Sequence, residues 1–115
     1  MRQTVFLDTS YLIALIRKKD ARHPDALAAA SIFTGRFVTT DLVLVELANS
    51  LSLPPNRAAV ISAIERIRTD AATTIISFTS EGMERALTLF KSSHDKSWGL
   101  VDCFFFCGYE RKTDT

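Results

Sequence analysis

Strong charge of either sign is the first thing missing. Lys and Arg total 14 against 13 Asp and Glu, for a formal net charge of +1 over 115 residues. A chain so balanced carries no global field to draw in nucleic acid, so any basic binding surface must be local. No apolar run reaches the roughly 18–20 residues that span a bilayer, so no membrane partner is expected. The start of the chain lacks a charged stretch followed by a long apolar core, which argues against a secretory signal. Cysteine is sparse: Cys103 and Cys107 are the only two. Spaced by one helical turn in an apolar segment, they read as buried free thiols in a reducing compartment, which points to the cytoplasm. Zinc wants more ligands than these, and His23 and His94 lie far off in sequence. There is no internal repeat, low-complexity tract or interdomain linker, and the length suits one compact domain, 1–115.

What is present begins with Val5-Phe6-Leu7, an apolar run with β propensity that ends in Asp8. Thr9 or Ser10 suits the N-cap of the helix that follows, to about Lys18. That helix is apolar nearly all round and should be well buried. His23-Pro24 opens a second helix, Ala26 to Ala30 continue it, and Gly35 stops it. Arg36–Thr40 reads as a second strand. Asp41 then caps a helix from Leu42 to about Leu51, with Val43, Leu47 and Leu51 at helical spacing and Glu46 interrupting the apolar surface. Pro54-Pro55 breaks the chain. A fourth helix runs from about Asn56 to Thr69 on Val60, Ile64 and Ile67. Thr73–Phe78 is a third strand. Thr79 or Ser80 caps a helix to about Lys91 that carries Met83, Leu87 and Phe90 inward. After the polar loop 92–97, a last helix from Trp98 to about Arg111 holds Asp102 among aromatics. This alternation predicts an α/β fold of parallel strands joined by right-handed helical crossovers.

Three carboxylates stand out. Asp8 lies where a strand ends, the rim at which open α/β sheets bind ligands. Glu46 and Asp102 interrupt apolar helical surfaces, and a buried carboxylate is costly without a partner. Each has a plain alternative: a helix cap for Asp8, a hydrogen-bonded or ion-paired core carboxylate for the others. Carboxylates that converge repel one another unless something positive sits between them, and Mg²⁺ or Mn²⁺ is the economical answer.

The segments Phe6-Leu7-Asp8-Thr9-Ser10, Thr39-Thr40-Asp41-Leu42-Val43-Leu44-Val45-Glu46-Leu47-Ala48-Asn49 and Asp95-Lys96-Ser97-Trp98-Gly99-Leu100-Val101-Asp102-Cys103 resemble PIN-domain proteins, in particular the VapC-type toxins of bacterial toxin–antitoxin pairs. The resemblance covers nearly the whole chain, and the last motif is the most specific. It implies a three-layer αβα domain around a central parallel sheet. It also implies a metal-dependent endoribonuclease, with an RNA substrate, a cognate antitoxin and a homodimer as partners. Asp8, Glu46 and Asp102 match three acidic residues of the family site, where they would hold Mg²⁺ or Mn²⁺. The bound metal would lower the pKa of a water for in-line attack on a phosphate. Ser10 matches a small hydroxyl beside the first aspartate. Asp95 and Lys96 are candidates for an outer role or an RNA contact, with a loop turn and ordinary solvated surface as their alternatives. The run Arg17-Lys18-Lys19 is a second candidate for backbone contact. Trp98 either stacks on a base or packs the start of the last helix.

The chain departs from the family at its end. Members continue into another strand carrying a fourth acidic residue, and this sequence stops at Thr113-Asp114-Thr115. Asp114 resembles the run-up to that strand rather than the fourth ligand. The expectation is a domain incomplete at its C-terminus, with the first strand left as an unpaired edge. Truncation, a partner that completes the edge, and a degraded relative all remain open. The rival in another class is a catalytically silent interaction protein that binds an antitoxin or its own twin through helices 10–16 and 26–30. A haloacid-dehalogenase-type phosphotransferase wants a second aspartate where Ser10 stands. A response-regulator receiver wants an acidic pair that Gln3-Thr4-Val5-Phe6-Leu7 does not supply.

Overall fold

The computed structural model describes residues 3–113, with side chains as far as Tyr109. The elements run β1 (Thr4–Phe6), α1 (Thr9–Ile16), α2 (His23–Ile32), β2 (Arg36–Thr40), α3 (Asp41–Ser50), α4 (Asn56–Thr69), β3 (Thr73–Ile76), α5 (Ser80–Ser92) and α6 (Leu100–Thr113). The three strands form one parallel sheet in the order β1-β2-β3. Thr4 stands opposite Arg36 and Phe6 opposite Val38; Phe37 stands opposite Thr73 and Thr40 opposite Ile76. All three strands therefore end at one rim.

Alternation along β2 divides the interior. Phe37 faces one core, built from Leu7, Leu12, Val43, Leu47, Leu51 and Val60 under α1, α3 and α4. Val38 faces the other, with Ile76, Ala86, Cys103, Phe104 and Phe105 under α5 and α6. The result is the expected helix–sheet–helix sandwich, since a sheet apolar on both faces must be covered on both. Leu47 and Ala86 have no exposed surface. Burying a leucine so completely contributes about 1.5–3 kcal/mol. Among the described residues no helix is long and apolar enough to cross a membrane.

Several local expectations need correcting. Asp8, and neither Thr9 nor Ser10, caps α1. Thr40 caps α3, and Asp41 sits in its first turn, accepting a bond from the Phe78 amide at 3.1 Å. A buried strand end favours the neutral hydroxyl as the cap, which leaves the carboxylate free to tie down the β3–α5 connection. Gly35 does not stop α2; the helix ends at Ile32 with Phe33 already extended. Gly35 is instead where two backbones approach: a Cβ there would lie 2.2 Å from the Gln3 carbonyl oxygen. Phe90 is about half exposed, and Ala86 with Gly82 forms the inner face of α5 against Phe104. The first helix buries only Leu12 and Ala14 fully. The last helix begins at Leu100, so Trp98 precedes it. As expected, among the described residues β1 pairs with β2 alone and forms an edge of the sheet. Asp114 lies outside the described residues.

Candidate functional site

The site is built at the rim where β1 and β2 end. Leu7 follows β1, and its amide donates to the Val38 carbonyl at 2.8 Å. Its own carbonyl accepts from the buried Thr39 hydroxyl at 2.9 Å. The chain is thus held on both sides just before Asp8. There the backbone stays extended, with φ −90° and ψ 167°, and the Asp8 Oδ1 accepts from the Tyr11 amide at 2.8 Å. A carboxylate is well placed at a helix N-terminus, where orphan amides and the helix dipole both favour negative charge. The cap uses one oxygen. The side chain is exposed, and its second oxygen is left over for something else.

Glu46 comes to the same place from α3. It sits one turn and a half into that helix, on its exposed side, so it is not the buried carboxylate the apolar surroundings suggested. Its Oε1 accepts a hydrogen bond from the Thr9 hydroxyl, which joins the first turn of α1 to α3. Asp102 arrives from α6. It is half-buried, and its Oδ2 accepts from the Gly99 amide at 3.1 Å. The Gly99 carbonyl in turn accepts from the Cys103 amide at 3.1 Å. Gly99 is therefore the cap of α6 and Asp102 the residue three positions on that reaches back, as in a capping box.

Asp8, Thr9, Ser10, Glu46, Gly99 and Asp102 line one cleft of about 380 Å³, floored by Phe6 and Val43. Among the described residues no Lys or Arg lines it. Asp95 and Lys96 are not brought into it. They are exposed and pair with each other at 3.8 Å, a surface ion pair that contributes little. The basic run lies at the other end of α1, with Arg17 as its C-cap, about 12–14 Å along the helix from Asp8. Thr9, a helix-cap candidate from sequence, instead bonds Glu46 across 37 residues, a role that no local pattern signals.

A hard cation suits this donor set, because three carboxylates supply only oxygen and each has one oxygen outside the bonds described. Among the described residues, however, no three Asp, Glu, His or Cys side chains stand close enough to grip an ion together. A hydrated ion such as Mg²⁺, which keeps several waters and takes one or two carboxylates directly, would ask for less than such a cluster. Next to Asp102 in sequence, Cys103 is fully buried in the core under α5 and α6, and burial, with help from Cys107 and Asp102, pushes its thiol up from the ordinary value. Both cysteines are free, Cys103 buried and Cys107 half-buried. His23 holds α2 to α1 through a contact of Nδ1 with the Ala14 carbonyl at 2.8 Å, so it is structural.

A larger cleft of about 540 Å³ lies between α1, α2 and α4, with Tyr11, Leu15, Ile16, Ala30 and Phe37 among its walls. Its charged residues, Arg66 and Asp70, are too few for hydrolytic chemistry, so the smaller acidic cleft is the candidate active site.

The PIN domain family model matches residues 5–107. A comparison with curated proteins finds no match. Among solved structures the chain is similar to VapC20 of Mycobacterium tuberculosis, described as a Sarcin-Ricin loop cleaving toxin. The TM-score is 0.78 at 24% identity, over 96% of this chain and 83% of that one.

Proposed function

The chain belongs to the PIN-domain family, and from that premise we propose that it is a metal-dependent endoribonuclease acting as the toxin of a VapBC-type toxin–antitoxin pair. The observation that carries this reading is the acidic cleft: Asp8, Glu46 and Asp102 with two hydroxyls at the carboxyl rim of a parallel sheet, and no cation among the described residues that line it. Such a cleft repels a polyanion as it stands. A bound Mg²⁺ or Mn²⁺ would offset charge on the phosphoryl oxygens and lower the pKa of a water. The chain's own residues hold the constellation still. The Tyr11 amide fixes Asp8, the Thr9 hydroxyl fixes Glu46 and the Gly99 amide fixes Asp102. Side chains restrained in this way lose little freedom when substrate arrives. Ser10 is available to hold a water or a phosphate oxygen. The likeness to a toxin that cleaves the Sarcin-Ricin loop supports RNA as the substrate class without extending that target to this chain. A cognate antitoxin, a homodimer and a cytoplasmic setting belong to the same proposal.

A second reading has its own support. The three carboxylates do not already form an ion-gripping cluster, and Leu27 and Ile32 on α2 are exposed. A silent PIN-like protein that binds an antitoxin or itself would look like this. Cleavage of RNA with Mg²⁺, Mn²⁺ or EDTA, by this chain and by Asp8→Asn, separates the two, alongside calorimetry of Mn²⁺ binding. The nuclease reading expects metal-dependent cleavage and measurable Mn²⁺ binding, both weakened in the variant. Equal cleavage by both proteins would remove Asp8 from the site. No cleavage and no Mn²⁺ binding would leave the silent protein.

A further inference from the structure

Outside the acidic cleft, one cluster among the described residues sets an exposed cation beside a partly open aromatic ring. Trp98 lies on the loop just before α6. Its neighbour Gly99 lines the cleft and holds Asp102, and consecutive Cα atoms are about 3.8 Å apart. Despite its size Trp98 is 37% exposed. One side is seated, because the ring meets Phe106 edge-on at 5.0 Å and 61°. Phe106 leans on Phe105 at 5.6 Å, and Phe105 stacks on Phe6 at 3.9 Å. Phe6 forms part of the cleft. A continuous aromatic chain therefore connects Trp98 to the wall beneath Asp8, and the ring is placed rigidly relative to the carboxylates.

Lys96 completes the cluster. Its ammonium lies 5.9 Å over the Trp98 ring, at the outer limit of a cation–π contact. Its other partner is the exposed Asp95 carboxylate at 3.8 Å. Neither contact holds it firmly. Phe78 and Phe90 are more exposed than Trp98, but Phe78 stacks on Phe104 at the β3–α5 connection and Phe90 sits on α5. An aromatic face beside an exposed cation is the chemistry that recognises a nucleotide: the base stacks and the cation meets the phosphate.

We propose that Trp98 is a base-stacking platform for single-stranded RNA at the edge of the acidic cleft, and that Lys96 leaves the ring to meet the RNA backbone when a base takes its place. The inference rests on the ribonuclease reading and names a substrate contact that reading does not contain. It also explains how a cleft lined by carboxylates keeps hold of an anionic strand, since the grip lies beside the chemistry rather than within it.

Trp98 is the chain's sole tryptophan, so its fluorescence reports this position alone. The experiment titrates a short single-stranded oligoribonucleotide into the Asp8→Asn protein with Mg²⁺, so that binding is seen with cleavage suppressed. Inorganic tripolyphosphate serves as the base-free probe. RNA should quench the emission saturably and tripolyphosphate should not. Followed by the anisotropy of a fluorophore-labelled oligoribonucleotide, because the Trp98 variants carry no tryptophan, Trp98→Ala should weaken RNA binding about tenfold, the usual consequence of losing one stacked base. Trp98→Phe, which keeps a ring on Phe106, should stay within about threefold. Lys96→Gln should reduce the salt dependence of binding by about one phosphate contact. RNA that binds without moving the emission, or that binds Trp98→Ala as tightly as the parent, overturns this inference and leaves the ribonuclease reading standing. RNA that fails to bind any of the proteins overturns both.

Discussion

Two strand-to-helix junctions stand side by side at one rim of the sheet, and they solve the same problem with different chemistry. At β1–α1 the cap is Asp8, charged and exposed. At β2–α3 it is Thr40, neutral and with no exposed surface. Each accepts from the amide three residues on, at 2.8 Å in one and 3.1 Å in the other. The capping task is identical, so it explains neither the charge on Asp8 nor its exposure. A threonine would have sufficed. The surplus of Asp8 over Thr40 is one negative charge and one carboxylate oxygen, at the edge of a cleft that two more carboxylates line.

The most severe test of that comparison makes the junctions alike. Asp8→Thr keeps a capping oxygen, so stability should change by less than about 1 kcal/mol. Metal-dependent RNA cleavage should fall by about 100-fold or more, given the several kcal/mol of transition-state stabilisation at stake. Thermal melting and a cleavage assay on the same sample check both halves. If cleavage survives, the charge on Asp8 has no part in the chemistry. Thr40→Ala attacks the other junction. It should cost about 1–2 kcal/mol of stability by urea denaturation, with cleavage per folded molecule unchanged. A selective loss of activity there would mean that the two caps share a role.

The smallest effect belongs to a carboxylate at the opposite rim. One Asp70 oxygen accepts from the Thr73 hydroxyl at 2.6 Å and the other from the Ala72 amide at 3.2 Å. These bonds, the hydroxyl's first, hold its carboxyl below the usual carboxylate value. A folded-state value depressed in this way adds stability above the unfolded pKa of about 3.9, lost as pH falls through the folded value. Asp70→Asn should therefore be slightly less stable than the parent at neutral pH, and the difference should close below about pH 4. A gap that persists at lower pH would show that the bonds do not depend on the charge. Asp70 spends both oxygens on its turn and Asp8 only one, and that difference separates a structural carboxylate from a candidate ligand.

The sequence announces the sheet and helices readily, because apolar periodicity survives in α3 and α4 and β-branched runs mark β2 and β3. Helix starts are harder to read. Thr9, Ser10, Thr40 and Asp41 all have capping side chains, and only the burial of the strand end decides between hydroxyl and carboxylate. Glu46 is misjudged for a related reason: an apolar neighbourhood in sequence does not say which side of a helix faces solvent. Asp102 is legible as a helical acid among aromatics, but its bond to Gly99 depends on where α6 begins, two residues later than expected. Thr9 escapes as a partner of Glu46 because no periodicity links residues on different helices. Asp8 is legible throughout, since a strand that ends in aspartate places it at the rim whatever follows.

Among the described residues β1 has three residues and one neighbouring strand, yet its two ends are unequally secured. Thr4 and Val5 are exposed, whereas Leu7 is buried and bonded at both its amide and its carbonyl. Local unfolding begins where few buried contacts resist it. The strand therefore opens from its exposed end, like a zip fixed at the bottom, and the step that frees Asp8 comes last. A transient opening of the sheet's edge can expose backbone to a passing chain while the carboxylates keep their places.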